Sequence, residues 1–362
     1  MGRAAVLHAV GDEELDLRDD VSAVAPGPGQ VKVQIKATGV CHSDLSTMTG
    51  VLPAMQPTVV GHEGAGVIAE VGEGVTGVQP GDHVVVNWTP DCGECAECLR
   101  GEPYLCMTYL AQSFTAPGFR LGDGTPAFGM AGTGTWAEEI VLPRRGVVKI
   151  AEDIPFEYAA LLGCGIPTGV GAVVNTAKVA PGSTVAVVGA GGVGLAAIQG
   201  ARLAGAATIL AIDPNEAKHP AAKRFGATHT TTPDGLDEVK GLLTGGAGFD
   251  YAFEVVGRSA AITTAWNAAR RGGDVIVVGA GAADDEWSQN SFALLFDGKS
   301  VKASLYGGCD LKRDIPRFVD LWRAGRLDID GLISRRIGFA DINDAIRALR
   351  AGDVIRQVVL FD

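Results

Sequence analysis

Cys92, Cys95, Cys98 and Cys106 form the densest group of metal-capable side chains in the chain. Two overlapping C-x-x-C units and a fourth cysteine eight positions on can surround one ion tetrahedrally. Four protein ligands leave no open position, so this set points to a structural zinc that folds a short lobe with little core of its own. The alternative is a pair of disulfides or buried free thiols. An odd total of seven cysteines, without a secretory signal, favours metal or thiol chemistry. A catalytic metal must use other residues. Cys41 ends an apolar run, His62 stands beside Glu63, and Cys164 sits between two glycines. A Cys₂His set plus water keeps the exchangeable position that a Lewis acid needs. Each residue also has an ordinary reading, as a buried thiol or a satisfied imidazole. Their separation in sequence does not show that they meet.

A second chemistry is written into Thr184 to Asp213. Val185-Ala186-Val187-Val188 reads as a strand buried on both faces, and Gly189, Gly191 and Gly194 follow with G-x-G-x-x-G spacing. Leu195 to Leu203 then reads as helix. The glycines give a tight turn, close approach to a pyrophosphate, and close helix–strand packing at a helix N-terminus. With 51 glycines, a chance match is easy; the next strand decides the matter. Thr208–Ile212 is apolar and ends in Asp213, where a carboxylate is needed to accept hydrogen bonds from an adenosine ribose. Asp213 would repel a 2′-phosphate, which favours NAD(H) over NADP(H). Lys218 and His219 lie just beyond and could weaken that preference, although a solvated helix face also accounts for them.

These groups need elements to hold them. A chain of 362 residues suggests two domains. Residues 3–138 alternate short apolar runs with Gly/Pro turns, including Val31–Ile35, Gly66–Val71 and Val84–Val86, and predict a compact, mostly antiparallel β domain. Strands expected at Thr184–Val188, Thr208–Ile212, Tyr251–Val255 and Val275–Val278 alternate with helices near Leu195–Leu203, Glu216–Phe225, Leu236–Leu243 and Ala260–Arg270. Such a βαβ series predicts a doubly wound parallel sheet. Helices near Ile315–Arg323 and Ile342–Arg350 and a strand at Gln357–Phe361 complete the chain. A net charge of −12 argues against nucleic acid as a partner, and no apolar run reads as a membrane span. Met1–His8 lacks a signal-peptide core, so a cytoplasmic location is expected.

Cys41-His42-Ser43-Asp44, Gly61-His62-Glu63-Gly64-Ala65-Gly66, the four-cysteine lobe, Gly163-Cys164-Gly165 and the Gly189 fingerprint occur in order. In this the chain resembles the zinc-dependent alcohol dehydrogenases of the medium-chain dehydrogenase/reductase superfamily, over nearly its whole length. The resemblance implies a GroES-like catalytic domain at 1–166, a Rossmann NAD-binding domain at 167–304, and a segment at 305–362 that returns to the catalytic domain. It implies two zincs: a catalytic ion on Cys41, His62 and Cys164, with Glu63 as a transient ligand, and a structural ion on Cys92, Cys95, Cys98 and Cys106. Cys309 has no place in either set.

The activity implied is reversible oxidation of an alcohol by NAD, the zinc lowering the pKa of the alcohol oxygen and hydride passing to the nicotinamide. Ser43 would take the alcohol proton and Asp44 would orient the His62 ring. Relatives place a histidine where this chain has Ser46, so the resemblance names no exit base and the relay would end through water. His42 and Arg356 match positions on the cofactor pyrophosphate. Thr168, Gly192, Val193, Lys218, Val278 and Ala280 complete the expected cofactor contacts. Trp88 and Leu52 would line a pocket for apolar or aromatic primary alcohols. The long Gly/Thr-rich segment 107–136 resembles the loop of dimeric members, and a homodimer is expected, with a tetramer as the alternative. Val86-Asn87-Trp88 and Ser304-Leu305-Tyr306-Gly307-Gly308 resemble two branches, the nicotinoprotein-like alcohol dehydrogenases and the thiol-dependent formaldehyde dehydrogenases. Oxidation of an S-hydroxymethyl thiol is the rival reading, and a non-catalytic NAD-binding protein a second.

Overall fold

The first 150 residues supply ten strands: β1 (Gly2–Leu7), β2 (Asp16–Ala23), β3 (Gln30–Val40), β4 (Thr58–Val59), β5 (Gly64–Val71), β6 (His83–Val86), β7 (Phe119–Arg120), β8 (Pro126–Gly129), β9 (Glu139–Pro143) and β10 (Val147–Lys149). Residues 184–303 supply β11 (Thr184–Val188), β12 (Thr208–Ile212), β13 (His229–Thr231), β14 (Phe249–Glu254), β15 (Ala269–Val277) and β16 (Ser300–Ala303). The chain closes with β17 (Ile333–Gly338) and β18 (Arg356–Leu360). This computed structural model describes residues 1–361; Asp362, the last residue of the expected return segment, lies outside the described residues.

The chain divides into two units. Met1–Cys164, Asp310–Asp320 and Ile329–Asp362 make the first, and Gly165–Cys309 with Leu321–Asp328 the second. The division thus falls at 164/165 and 309/310, where the sequence suggests 166/167 and 304/305, and 321–328 cross back. Local bonds account for the last two departures. Cys309 is buried, its thiol against the Pro167 carbonyl at 3.5 Å. The Gln199 side chain bonds both the N–H and the C=O of Asp328, at 2.8 and 3.0 Å, and Arg202 donates to the Arg326 carbonyl.

In the first unit, β1, β2, β7, β8 and β4 close a barrel, and a seven-stranded sheet runs β10-β6-β5-β3-β18-β17 with β9 also on β3. Most of its pairings are antiparallel. β3 organises it. Val31, Val33 and Ile35 alternate inward, and their burial contributes on the order of 1.5–3 kcal/mol per side chain. At the far end Thr38 pairs with Gly64, so β5 begins where β3 ends. β18 lies on the other side of β3, Gln357 opposite Val40. Three segments that meet nowhere in sequence therefore converge at Cys41.

The second unit is a six-stranded, all-parallel sheet of order β13-β12-β11-β14-β15-β16. Helices Gly192–Leu203, His219–Phe225, Leu236–Thr244 and Ser259–Ala268 connect its strands, which is the doubly wound arrangement. β15 starts at Ala269, within the helix expected to reach Arg270. The Arg270 guanidinium pairs with Asp250 on neighbouring β14 at 2.7 Å, a tertiary bond that sequence periodicity does not carry. Helix Leu311–Arg323 runs through Pro316, held by the buried side chains of Leu311, Ile315, Phe318 and Val319.

Candidate active site and metal centres

Cys41 follows β3 and caps helix His42–Met48. Its N–H donates to Asp44 Oδ2 at 2.7 Å, and Asp44 Oδ1 accepts from His62 Nδ1 at 2.9 Å. One buried carboxylate thus ties the backbone of one donor residue to the ring of another. His62 and Glu63 immediately precede β5, and the Glu63 carbonyl accepts the Gly39 N–H at 2.8 Å. Only glycine fits at 39: a Cβ there would stand 2.0 Å from Glu63 Oε2. Cys164 comes from the turn after helix Phe156–Leu161. That turn lies against β6 and Glu63, since a Cβ on Gly163 would stand 3.1 Å from the Val86 carbonyl and 3.6 Å from the Glu63 Cα.

These residues meet. One donor atom from each of Cys41, His62, Glu63 and Cys164 lies within 4.8 Å of the others, and none of the four residues is more than 7% exposed. His62 Nε2 is buried without a hydrogen bond, Nδ1 being taken by Asp44. Burial opposes charge on this ring, but Asp44 outweighs it and holds the pKa well above the usual value. A hydrogen bond from Cys164, reinforced by Arg356, keeps the Cys41 thiol well below the ordinary range; the same bond and burial hold Cys164 well above it. Burial pushes Glu63 up to about 7 against the pull of Arg356. Two sulfurs and an imidazole with one shared focus, the Cys41 sulfur already favouring the thiolate that binds metal, suit zinc with an open fourth position. The Asp44–His62 bond is the carboxylate–imidazole orientation typical of such a site.

Around this set, Ser43 Oγ is 3.8 Å from Cys41 Sγ. Trp88 packs edge-on to His62, ring centroids 6.3 Å apart. Leu52 is half-buried, its amide bonded to the Ser46 carbonyl. Arg356, matched by the resemblance to a pyrophosphate contact, is buried here beside the metal ligands. It pairs with Glu63 Oε1 at 3.2 Å and donates to the Val40 carbonyl at 3.4 Å. Arg356 is therefore no solvated charge at a strand end, because β18 carries it in beside β3. A charged residue inside the apolar run Ile355–Leu360 was the signal available for that role.

The four-cysteine lobe is built differently. Cys95 and Cys98 thiols are 3.4 Å apart and those of Cys92 and Cys98 4.0 Å, close to the ~3.8 Å edge of a tetrahedron of ~2.3 Å zinc–sulfur bonds. The amides of Cys95 and Glu94 donate to Cys92 Sγ, and that of Cys92 to Cys106 Sγ. The Thr108 hydroxyl and the Glu94 and Cys95 amides lower the Cys92 thiol to about 6. Sequence reasoning missed the anchor. Asp91, just before the first ligand, pairs with Arg145 and with Lys312, the latter at 2.8 Å.

In the second unit, Gly194 is required because a Cβ would lie 1.9 Å from the Gly189 carbonyl, whereas a Cβ on Gly191 would meet nothing within 4 Å. The loop is thus tight against its own helix and open where a pyrophosphate would approach. Gly192 and Val193 begin the helix. Asp213 is buried at the end of β12; Oδ2 accepts the Ala190 N–H at 2.8 Å, Oδ1 accepts that of Asn215, and Lys218 Nζ stands 3.6 Å from Oδ2. Lys218 is therefore an ion-pair partner of the acid. His219 bonds the Asp213 carbonyl at 3.0 Å. Thr168 lies on helix Gly165–Gly171, and Val278 and Ala280 on the segment after β15.

Residues 27–152 match the alcohol dehydrogenase GroES-like domain, and residues 192–323 match the zinc-binding dehydrogenase domain. The S-(hydroxymethyl)glutathione dehydrogenase of Paracoccus denitrificans is 40% identical over 377 residues, with 99% of both chains covered. The alcohol dehydrogenase class-3 of Cereibacter sphaeroides is 40% identical over 378 residues, again with 99% of both covered. Among solved structures, an alcohol dehydrogenase zinc-binding domain protein from Burkholderia ambifaria superposes with a TM-score of 0.93 at 32% identity, covering 99% of this chain and 98% of that one. Benzyl alcohol dehydrogenase from Acinetobacter calcoaceticus gives 0.91 at 31% identity, with 99% of each chain covered.

Proposed function

The chain belongs to the zinc-dependent alcohol dehydrogenases of the medium-chain dehydrogenase/reductase superfamily, and from that premise we propose that it interconverts apolar or aromatic primary alcohols and their aldehydes with NAD(H). The observation that carries this reading is the buried Cys41–His62–Cys164 set with Trp88 against it. Zinc held there supplies a Lewis acid for the alcohol oxygen, and NAD the hydride acceptor. Ser43 accepts the alcohol proton at Oγ and passes it on toward the nicotinamide ribose. Asp44 keeps the His62 ring in one orientation. Glu63, paired with Arg356, offers an additional oxygen to the ion, and Arg356 and His42 serve the pyrophosphate. Asp213 accepts the ribose hydroxyls and disfavours a 2′-phosphate.

A second reading, oxidation of an S-hydroxymethyl thiol, is favoured by the names of the relatives at 40% identity. Against it, residues 45–58 after the first ligand carry no charge to meet a charged thiol adduct. Initial rates with benzyl alcohol, set beside formaldehyde plus glutathione, separate the two: faster turnover of the thiol adduct would overturn the alcohol reading. We propose the nicotinoprotein-like branch for the alcohol reading; Val86-Asn87-Trp88 and Ser304–Gly308 resemble it and the thiol-dependent branch alike, and NAD that stays bound through gel filtration would support it.

We also take the protein to act as a cytoplasmic homodimer. No helix among the described residues is long and apolar enough to cross a membrane. β16 ends the parallel sheet with all four residues exposed, beside Phe292, Leu295 and Phe296 at 54–74% exposure. Such an edge invites pairing with a second copy, and sedimentation analysis tests it.

A further inference from the structure

Glu254 ends β14 at the carboxyl edge of the parallel sheet, the edge along which doubly wound folds bind their ligands. It is fully buried, and it closes the otherwise apolar run Tyr251-Ala252-Phe253. Its Oε1 accepts the N–H groups of both Val256 and Gly257, each at 2.6 Å, and its backbone carbonyl accepts those of Val278 and Gly279, at 2.8 and 3.2 Å. One residue thus gathers the turns that follow two adjacent strands. These turns touch backbone to backbone: Gly257 has φ +81°, and a Cβ there would stand 2.5 Å from the Ala280 carbonyl oxygen. They also abut the glycine loop, because a Cβ on Gly189 would stand 2.8 Å from Val256 Cγ2. Val256 itself remains half exposed.

Oε2 of Glu254 is buried without a hydrogen bond. Burial of a carboxyl with one oxygen unused is costly, and what offsets that cost is the hold that Oε1 keeps on the two amides. We propose that Glu254 is a positioning residue for the dinucleotide. It fixes 255–257, and through them 278–280, against the Gly189 turn, so that the cofactor meets a preformed edge. The proposal rests on the NAD reading above.

The test is NADH titration, followed by fluorescence, of zinc-loaded wild type, Glu254→Gln and Glu254→Leu. Gln keeps an acceptor for the two amides and should bind within about threefold of wild type; Leu strands both amides and should bind at least about tenfold more weakly. The loss should fall on the KM for NAD and leave the alcohol KM in place. A Leu variant that melts earlier yet binds NADH normally would overturn the proposal, as would a Gln variant as weak as Leu. Should the Leu variant fail to fold, hydrogen exchange in the wild type decides: slow exchange across 255–258 before NADH is added supports it, fast exchange overturns it. A wild type that binds no NADH would instead defeat the cofactor reading.

Discussion

The two metal centres use the same ligand chemistry and are assembled in opposite ways. The four-cysteine lobe closes on itself: its ligands come from one stretch of 92–106, its thiols are bound by amides of the same stretch, and three of the four are only half-buried. The Cys41–His62–Cys164 centre has no local existence. Its members come from the end of β3, the entry to β5 and the turn after a distant helix, and the four residues around it are all buried. A local site can be bound before the domain is complete, and its metal contributes folding free energy directly. A site assembled by a sheet instead inherits its geometry from the sheet, and its open position becomes available for chemistry.

That contrast is open to direct attack, beginning with the largest effect. Cys164→Ala should lower alcohol oxidation by at least about a thousandfold, since removal of a Lewis-acid ligand takes away several kcal/mol of charge stabilisation; its NADH affinity and its melting temperature should stay close to wild type. Cys98→Ala should do the reverse. It should lower the melting temperature and place the first protease cuts within 92–106, because a closed zinc site holds its own lobe folded. Asp44→Asn keeps the volume but weakens the hold on His62, and should cost about 10–100-fold in metal affinity or activity, read by chelator competition. Asp91→Asn releases the lobe from Arg145 and Lys312 and should have the smallest effect. Zinc release from the lobe to a chromogenic chelator should quicken by about threefold or less, with the difference lost in high salt, as for exposed ion pairs. An equal effect of Asp91→Asn on the buried centre would break the comparison.

The same division governs what could be read from the chain. Local patterns were legible: the cysteine spacing, the glycine loop with Asp213 after it, and the alternation of strands and helices in the second unit. The antiparallel first unit was legible as a class. Its register was not, and the register is what brings Arg356 to Glu63 through β18. Short polar strands such as β13 and β16 carry no periodicity to betray them; they form because a neighbouring strand offers its edge. The Cys41–His62–Cys164 set became legible only through resemblance, since no spacing rule links residues so far apart. Glu254 left one trace, a carboxylate at the end of an apolar strand.

Zinc counted per chain in the Cys164→Ala protein tests the central claim most directly. The account predicts two zincs in the wild type and one in the variant, the survivor held by Cys92, Cys95, Cys98 and Cys106. Two zincs retained in the variant, or none, would contradict it.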